Sequence, residues 1–214
     1  GQYSQGEGTR RGFPELKPLD SNLTLHLSAP ERMNKENPKE SSAWIGMNYI
    51  GCVNGHEDEY AVRVMNTILG SGTNSLLFQN VGLRKGLAYE VSTWSDGYYN
   101  AGELGVNASV HAGRIEEAVD SIFEEFEKMK TKKVEQRTID KIKRVAKYNL
   151  AKTFETNEGH VSAIEGKIDE GLTPDSFLWG FDQITPERVM EVSNKYLPDK
   201  ENGKYITYIR DPLK

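Results

Sequence analysis

The residue types that most often bind a catalytic metal are few and scattered in this sequence. The four histidines are His26, His56, His111 and His160, and no two of them lie within one helical turn of each other. Hydrolysis by zinc needs about three protein ligands, an open position for water and a carboxylate that accepts the proton of that water. The pattern His-x-x-Glu-His is absent, and a composite site from separated histidines is the alternative. We therefore expect no metal ligand and no catalytic residue here, and no enzymatic activity of this chain alone.

Nucleophilic and phosphate-binding sites are not indicated either. The sequence contains no Gly-x-Ser-x-Gly, and the single cysteine, Cys52, lies in an apolar run with no histidine predicted beside it. We expect Cys52 to be a small core residue. The segment Gly70-Ser71-Gly72 lacks the Gly-Lys-Ser/Thr ending of a phosphate-binding loop and follows a helix rather than a strand.

The most informative stretch runs from Asn66 to Trp94. Its pattern predicts a helix that ends at Leu69, a glycine turn, and a second short helix that begins near Ser75. Gly70 and Gly72 can adopt positive φ where the first helix stops. Asn74 or Ser75 is expected to cap the amides of the second helix.

A second glycine turn follows. Gly86 allows a sharp change of direction before the β-favouring run from Tyr89 to Trp94. The segments Ile-Leu-Gly-Ser-Gly, Ser-Leu-Leu-Phe-Gln and Gly-Leu-Ala-Tyr-Glu-Val-Ser occur in this order and at short intervals. This order of sequence segments resembles the C-terminal half-domain of the pitrilysin and mitochondrial-processing-peptidase zinc peptidases, the inverzincins. The resemblance extends from about Leu23 to Ile209.

The resemblance implies a role in substrate binding for two residues. In that family this half-domain closes over a zinc-binding half and presents a tyrosine and an arginine to the peptide substrate. The tyrosine corresponds to Tyr89, whose hydroxyl would donate to the scissile carbonyl as negative charge develops there. The arginine of the family pattern falls at Gly82, and the nearest arginine is Arg84. Two helical residues rotate by about 200°, so Arg84 can substitute only through an irregular turn.

Three functions remain open at this point. The first is the non-zinc-binding half of a zinc-dependent endopeptidase, with zinc held by a half-domain in the same protein or in a partner subunit. The second is a catalytically inactive structural or substrate-presenting subunit of the same family, which Gly82 favours. The third is an interaction module without a peptidase connection, in which Tyr89 merely packs on its sheet.

Composition restricts the class of protein and its partners. A net charge of −5 with 28% charged residues argues against nucleic-acid binding, and no apolar run is long enough to span a membrane. The basic run from Lys128 to Lys133 is expected to be a helix end in water. One cysteine means that the fold needs no oxidising compartment, which favours the cytoplasm, with the periplasm or an organelle as alternatives. A half-domain separated from its mate exposes apolar area, so we expect self-association.

Hydrophobic periodicity predicts an α+β fold. Residues 1–22 carry no period and are interpreted as a linker or tail, and 23–214 as a single domain of the peptidase C-terminal type. Strands dominate the first half of the chain and helices the second, which is typical of a mostly antiparallel sheet with helices packed on one face. The further predicted elements are strands near 23–27, 43–53, 89–94, 104–110 and 205–209, a loop at 31–40, a turn at Asp96-Gly97, and helices over 57–69, 115–129, 134–154, 159–170 and 185–196.

Overall fold

A computed structural model describes residues 22–27, 42–98, 100–153, 155–159, 161 and 180–211. The predicted loop at 31–40 and nearly all of the predicted helix over 159–170 lie outside these residues. In the described part, no helix is both long enough and apolar enough to cross a membrane. The elements are β1 (Leu23–Leu27), β2 (Ser42–Ile50), α1 (Glu59–Gly70), a π-helix (Phe78–Arg84), β3 (Ala88–Gly97), β4 (Gly102–His111), α2 (Ile115–Thr131), α3 (Gln136–Thr153), α4 (Pro186–Tyr196) and β5 (Tyr205–Arg210).

The five strands form one sheet in the order β1-β5-β2-β4-β3. β5 pairs antiparallel with β2, and β4 pairs antiparallel with both β2 and β3. The pairing of β1 with β5 is parallel, with Leu23 opposite Ile206. The prediction of a mostly antiparallel sheet is confirmed, and β3 forms one edge of the described sheet.

Strict alternation of side chains gives this sheet one buried face. Ile45 and Met47 of β2 are fully buried, as are Leu104 and Val106 of β4. Helices α1 and α2 cover this face, and α4 packs against both. The fold class predicted from the sequence, α+β with helices on one face, is therefore confirmed.

The opposite face carries tryptophan rings above glycines. The ring of Trp94 lies over Gly105, its partner across the β3–β4 pair, and the ring of Trp44 lies over Gly46. A Cβ atom at either glycine would overlap the ring. Glycine is required at these two positions because a tryptophan ring lies too close to leave room for a Cβ atom, and not because of unusual backbone angles.

The sequence cues at helix ends are mostly confirmed. Thr185 caps α4 by accepting a hydrogen bond from the Arg188 amide at 3.2 Å, and Pro186 occupies the first turn. Gly72 adopts φ +78° just after α1. Gly70, however, lies inside α1 without positive φ, and it is small because Thr93 of β3 packs directly against it.

Two further predictions from the sequence are wrong. Asp96 and Gly97 are the last residues of β3, and the chain reverses only after them, where the Tyr98 amide donates to the Ala101 carbonyl at 2.8 Å. The strand pairing therefore continues past the Asp-Gly signal. The basic run from Lys128 to Lys133 was predicted to lie in water, but Lys130 is only 8% exposed. Glu127 and Asp199 pair with its ammonium group.

Candidate functional site

The candidate site begins at the turn between α1 and the π-helix. Ser75 is buried there, and its hydroxyl donates to the Gly72 carbonyl at 2.8 Å while accepting from the Phe78 amide at 3.4 Å. The predicted cap by Ser75 is thus confirmed. It fixes the direction in which the short helical segment starts.

The short helical segment is wound as a π-helix over Phe78–Arg84. At its end the Lys85 amide donates to the Asn80 carbonyl, five residues earlier, at 3.1 Å. The Leu87 amide donates to the Val81 carbonyl at 2.9 Å, and both of these side chains are buried. The segment is therefore an irregular helix, and π-turns of this kind accommodate an extra residue and occur frequently at functional sites.

Helix α2 holds the π-helix in place through a buried carboxylate. Glu125 is 1% exposed, and its Oε2 accepts a hydrogen bond from Asn80 Nδ2 at 2.8 Å. Lys128 Nζ neutralises the other carboxylate oxygen at 2.5 Å. A buried acid with both oxygens occupied fixes its partners more firmly than a surface pair does.

A second connection to α2 fixes the end of the π-helix. Lys85 Nζ lies 2.9 Å from Ser121 Oγ and 2.6 Å from Glu124 Oε2. Gly86 follows with φ +60°, as predicted for the turn. The turn then places Leu87 in the core, and its carbonyl accepts from the His111 amide of β4 at 3.3 Å.

Tyr89 lies at a β-bulge at the start of edge strand β3. The pairing with β4 shifts between Ala88 and Glu90, which leaves Tyr89 as the extra residue. Its side chain is 63% exposed, whereas Leu87 and Val91 on either side are buried. Within the described part of the chain, the Tyr89 hydroxyl has no hydrogen-bond partner.

Arg84, the second predicted site residue, is the last residue of the π-helix and is exposed. Its guanidinium pairs with no carboxylate among the described residues. The structure thus places both predicted residues around one turn, between the π-helix and β3. Neither the Tyr89 hydroxyl nor the Arg84 guanidinium forms a hydrogen bond or ion pair that stabilises the described fold.

Gly82 has room for a side chain. A Cβ atom there would lie 3.5 Å from the Ala88 carbonyl oxygen and 4.0 Å from Phe78, which are ordinary contacts. The glycine is therefore not needed for close packing. An arginine at this position would start beside the backbone that leads into Tyr89.

The described residues do not fit a zinc centre. No three of their histidine, cysteine, aspartate or glutamate side chains are grouped as metal ligands would be. Burial raises the pKa of the Cys52 thiol, and the nearby charges of Glu59 and Asp58 raise it further, so it is a poor nucleophile. His160 lies outside the described residues. We assign no step to a metal bound by this chain.

A buried ionic cluster around Asp58 was missed by the sequence reading. Asp58 is 1% exposed; its carboxylate pairs with Arg188, with Lys195 Nζ at 2.5 Å, and accepts from the Tyr196 hydroxyl at 2.7 Å. Burial raises the pKa of this carboxyl, but the hydrogen bonds from Lys195 and Tyr196, with the charges of Lys195 and Arg188, outweigh burial and lower the pKa overall. The partners follow Asp58 by 130 or more residues, so no local pattern signals the cluster.

Comparison with known proteins agrees with this geometry. A family profile described as the Peptidase M16 inactive domain matches residues 9–145. The chain is 26% identical over 163 residues to an uncharacterized zinc protease of Bacillus subtilis, YmxG, covering 74% of this chain and 39% of the relative. It is 24% identical over 168 residues to a probable inactive metalloprotease of the same organism, YmfF, covering 77% of this chain and 38% of that one.

A solved structure of a protease from Helicobacter pylori shares the fold. It superimposes with a TM-score of 0.79 at 18% identity, over 92% of this chain and 45% of that chain. The present chain thus spans about two fifths of the length of the curated relatives it matches.

Proposed function

Because this chain belongs to the Peptidase M16 inactive-domain family and is a non-catalytic half of the zinc-protease type, we propose that it closes over a zinc-binding half and helps to bind a peptide substrate. That half is located in the same protein or in a partner subunit. The relatives support this arrangement, because more than half of their length lies outside the matched region. Residues 23–214 act as one unit in this proposal, with zinc contributed by the other half.

The observation that carries the proposal is the exposure of Tyr89. An aromatic side chain at 63% exposure, on a bulge between two buried neighbours, gains little for the fold. A phenol without a partner is available to donate a hydrogen bond to a substrate oxygen. Held on a rigid turn, it would stabilise charge that develops on the scissile carbonyl without first having to reorganise.

Arg84 is proposed as a second contact to the peptide. Its five N–H donors match carbonyl oxygens of an extended chain, and no carboxylate in the described structure competes for them. Its position supports this role, because Arg84 ends the π-helix and is exposed at the turn that leads to Tyr89.

One observation favours the alternative, a catalytically inactive structural or substrate-presenting subunit. The position where the family pattern has arginine is Gly82, and the space for a side chain there is unused. One relative is itself named a probable inactive metalloprotease. In that alternative the turn keeps its shape, while Tyr89 and Arg84 contribute nothing to peptide hydrolysis.

The deciding experiment uses the complete parent protein, together with any partner subunit, and an internally quenched peptide library. Tyr89→Phe removes only the hydroxyl and is expected to lower kcat by about 100-fold, the usual cost of losing one such donor. The matched control is Tyr98→Phe, which removes the hydroxyl of another exposed tyrosine at the far end of β3. Equal activity of the two variants, at equal zinc content, would refute the role of Tyr89.

Two further variants separate the proposal from its alternative. Arg84→Ala is expected to raise KM, because it removes a contact made to the bound peptide. An unchanged KM would exclude the hypothesis that Arg84 takes the place of the arginine in the family pattern. A wild-type protein that binds zinc but cleaves no peptide, and that gains activity with Gly82→Arg, would establish the inactive subunit.

A further inference from the structure

The open face of the sheet, opposite the face on which α1 and α2 pack, carries exposed apolar side chains. Leu23 and Leu25 of β1 are 42% and 39% exposed, and Trp44 of β2 is 38% exposed. Ile206 and Tyr208 of β5, the strand between them, are half-buried. We define these five residues as the apolar patch. Contiguous apolar surface marks an interaction site, whereas single exposed apolar residues are ordinary.

Strand pairing makes the apolar patch continuous. Leu25 lies opposite Tyr208 in the β1–β5 pair, and Tyr208 lies opposite Gly46 in the β5–β2 pair. The ring of Trp44 covers Gly46 and so lies next to Tyr208. Ile209, which follows Tyr208, is buried on the helix side, so alternation along β5 places Tyr208 and its partners on the open face. The apolar patch therefore extends over three neighbouring strands.

The same face connects the apolar patch to Tyr89. Glu90, the residue after Tyr89, lies opposite Ser109 of β4, and Ser109 lies opposite Trp44 of β2. Neighbouring strands lie about 4.8 Å apart, so β2 is about 10 Å from β3, and β1, at the other edge of the described sheet, is about 19 Å from β3. A ligand held at Tyr89 can thus reach the apolar patch by crossing the open face.

The two tryptophan rings keep the crossing low. The ring of Trp94 lies on Gly105 and the ring of Trp44 lies on Gly46, so each ring rests against the backbone. Glycine at these positions means that no side chain stands upright beneath either ring. An extended chain can therefore lie across the face and contact the rings, and such large apolar rings contribute strongly to binding.

Polar side chains between the apolar groups indicate what kind of ligand fits the face. Asn107 lies opposite both Gly46 and Ser92, in the middle of the open face, and Asn48 lies two residues further along β2. Amide and hydroxyl groups can donate to and accept from peptide groups. A permanent partner would require a face that is mostly apolar, like a domain core cut in half. An extended peptide supplies both backbone polar groups and apolar side chains, so it fits this mixture.

We infer that the apolar patch is a distal subsite for the peptide substrate, which binds apolar side chains of a peptide whose scissile bond lies at Tyr89. This inference rests on the proposed function, because it requires that the chain binds peptides. An extended peptide advances about 3.3 Å per residue, so the distances of about 10 and 19 Å correspond to about three and six residues. The preferred substrates are therefore peptides with apolar side chains about three to six residues from the cleaved bond, on one side of it.

The first test compares two sets of peptides on the complete parent protein, together with any partner subunit. The peptides share one cleaved bond, identified by mass spectrometry, and carry either leucine or serine about three to six residues from it, on either side in turn. On one side, leucine is expected to lower KM at least about tenfold with kcat unchanged, because the contact is made equally in the ground state and the transition state. Equal KM values on both sides overturn the inference.

The second test couples the peptide to the apolar patch. A variant with both Leu23→Ser and Leu25→Ser is expected to raise KM about tenfold for the leucine peptide and to leave KM of the serine peptide unchanged. A purely structural effect would change both values alike and would contradict the inference. The matched control is Val145→Ser, at a residue of α3 that is 51% exposed. If the double variant does not fold, the comparison of the two peptides on the wild-type protein still decides.

Binding without cleavage separates this inference from the proposed function. Fluorescence polarisation of the labelled peptides, with zinc removed by a chelator, measures Kd alone. A preference for leucine that the double variant loses supports the distal subsite, even in a protein that cleaves no peptide. Equal binding of both peptides overturns the inference and leaves the proposed function intact, whereas binding of neither refutes both. A double variant that loses stability but keeps the Kd of both peptides would show that another part of the complete protein covers the patch, which also overturns the inference.

Discussion

The ionic cluster around Asp58 gives the sharpest prediction on stability. Asp58→Asn keeps the size of the side chain and removes its charge, so Arg188 and Lys195 lose a carboxylate whose side chain is 2% exposed. Removing one member of a buried pair costs about 3 to 5 kcal/mol when the other stays buried. Here the side chains of Arg188 and Lys195 are 27% and 52% exposed and can return to water. We therefore expect a loss of about 2 to 3 kcal/mol in the free energy of unfolding.

Urea unfolding followed by circular dichroism measures this loss, provided that the slope with urea does not change. The matched control is Glu191→Gln, which removes a carboxylate 2.8 Å from the same Arg188 but 66% exposed. Surface pairs contribute under about 1 kcal/mol, so the control is expected to be almost neutral. A loss for Asp58→Asn as small as the loss for the control would refute the reasoning, because burial of Asp58 would then add nothing.

Three further predictions concern pH and packing. The folded-state pKa of the Asp58 carboxyl is lowered. Its contribution to stability is therefore present above the pKa of about 3.9 that the group has in the unfolded chain, and it is lost as pH falls further. The urea unfolding curves of wild type and Asp58→Asn are expected to converge below about pH 4. Gly105→Ala is expected to cost about 1 to 3 kcal/mol by displacing the Trp94 ring, whereas Gly82→Ala has room and is expected to be neutral or slightly stabilising in the same urea assay. Glu125→Ala is expected to cost about 2 kcal/mol and to speed amide hydrogen exchange in the π-helix, and unchanged exchange there would contradict its anchoring role.

Features with a local cause could be predicted from the sequence. The alternation in β2 and β4, the Thr185-Pro186 helix start and the turn at Gly86 depend on neighbouring residues only, and the structure confirms them. The position of Tyr89 at a turn followed by a strand was also predictable. Its role in peptide binding remains a prediction.

Features that depend on distant residues could not be predicted. The π-helix has no periodic signature of its own, and it is held by Glu125, which is 45 residues from Asn80. The burial of Lys130 depends on Asp199, which is 69 residues away. The Asp96-Gly97 pair is a strong turn signal, but pairing with β4 extends the strand through it, as tertiary contacts commonly override local preference.

The position of β5 constrains the order in which this molecule can assemble. β5 lies between β1 and β2, so residues 205–210 separate two strands that are made much earlier during synthesis. Until Arg210 has left the ribosome, β1 has no partner in the described sheet and one edge of β2 is open. Contacts at such long separation slow folding, and an open edge can pair with other chains. A chaperone that shields β2 until synthesis passes residue 210 would be expected to raise the yield of folded protein.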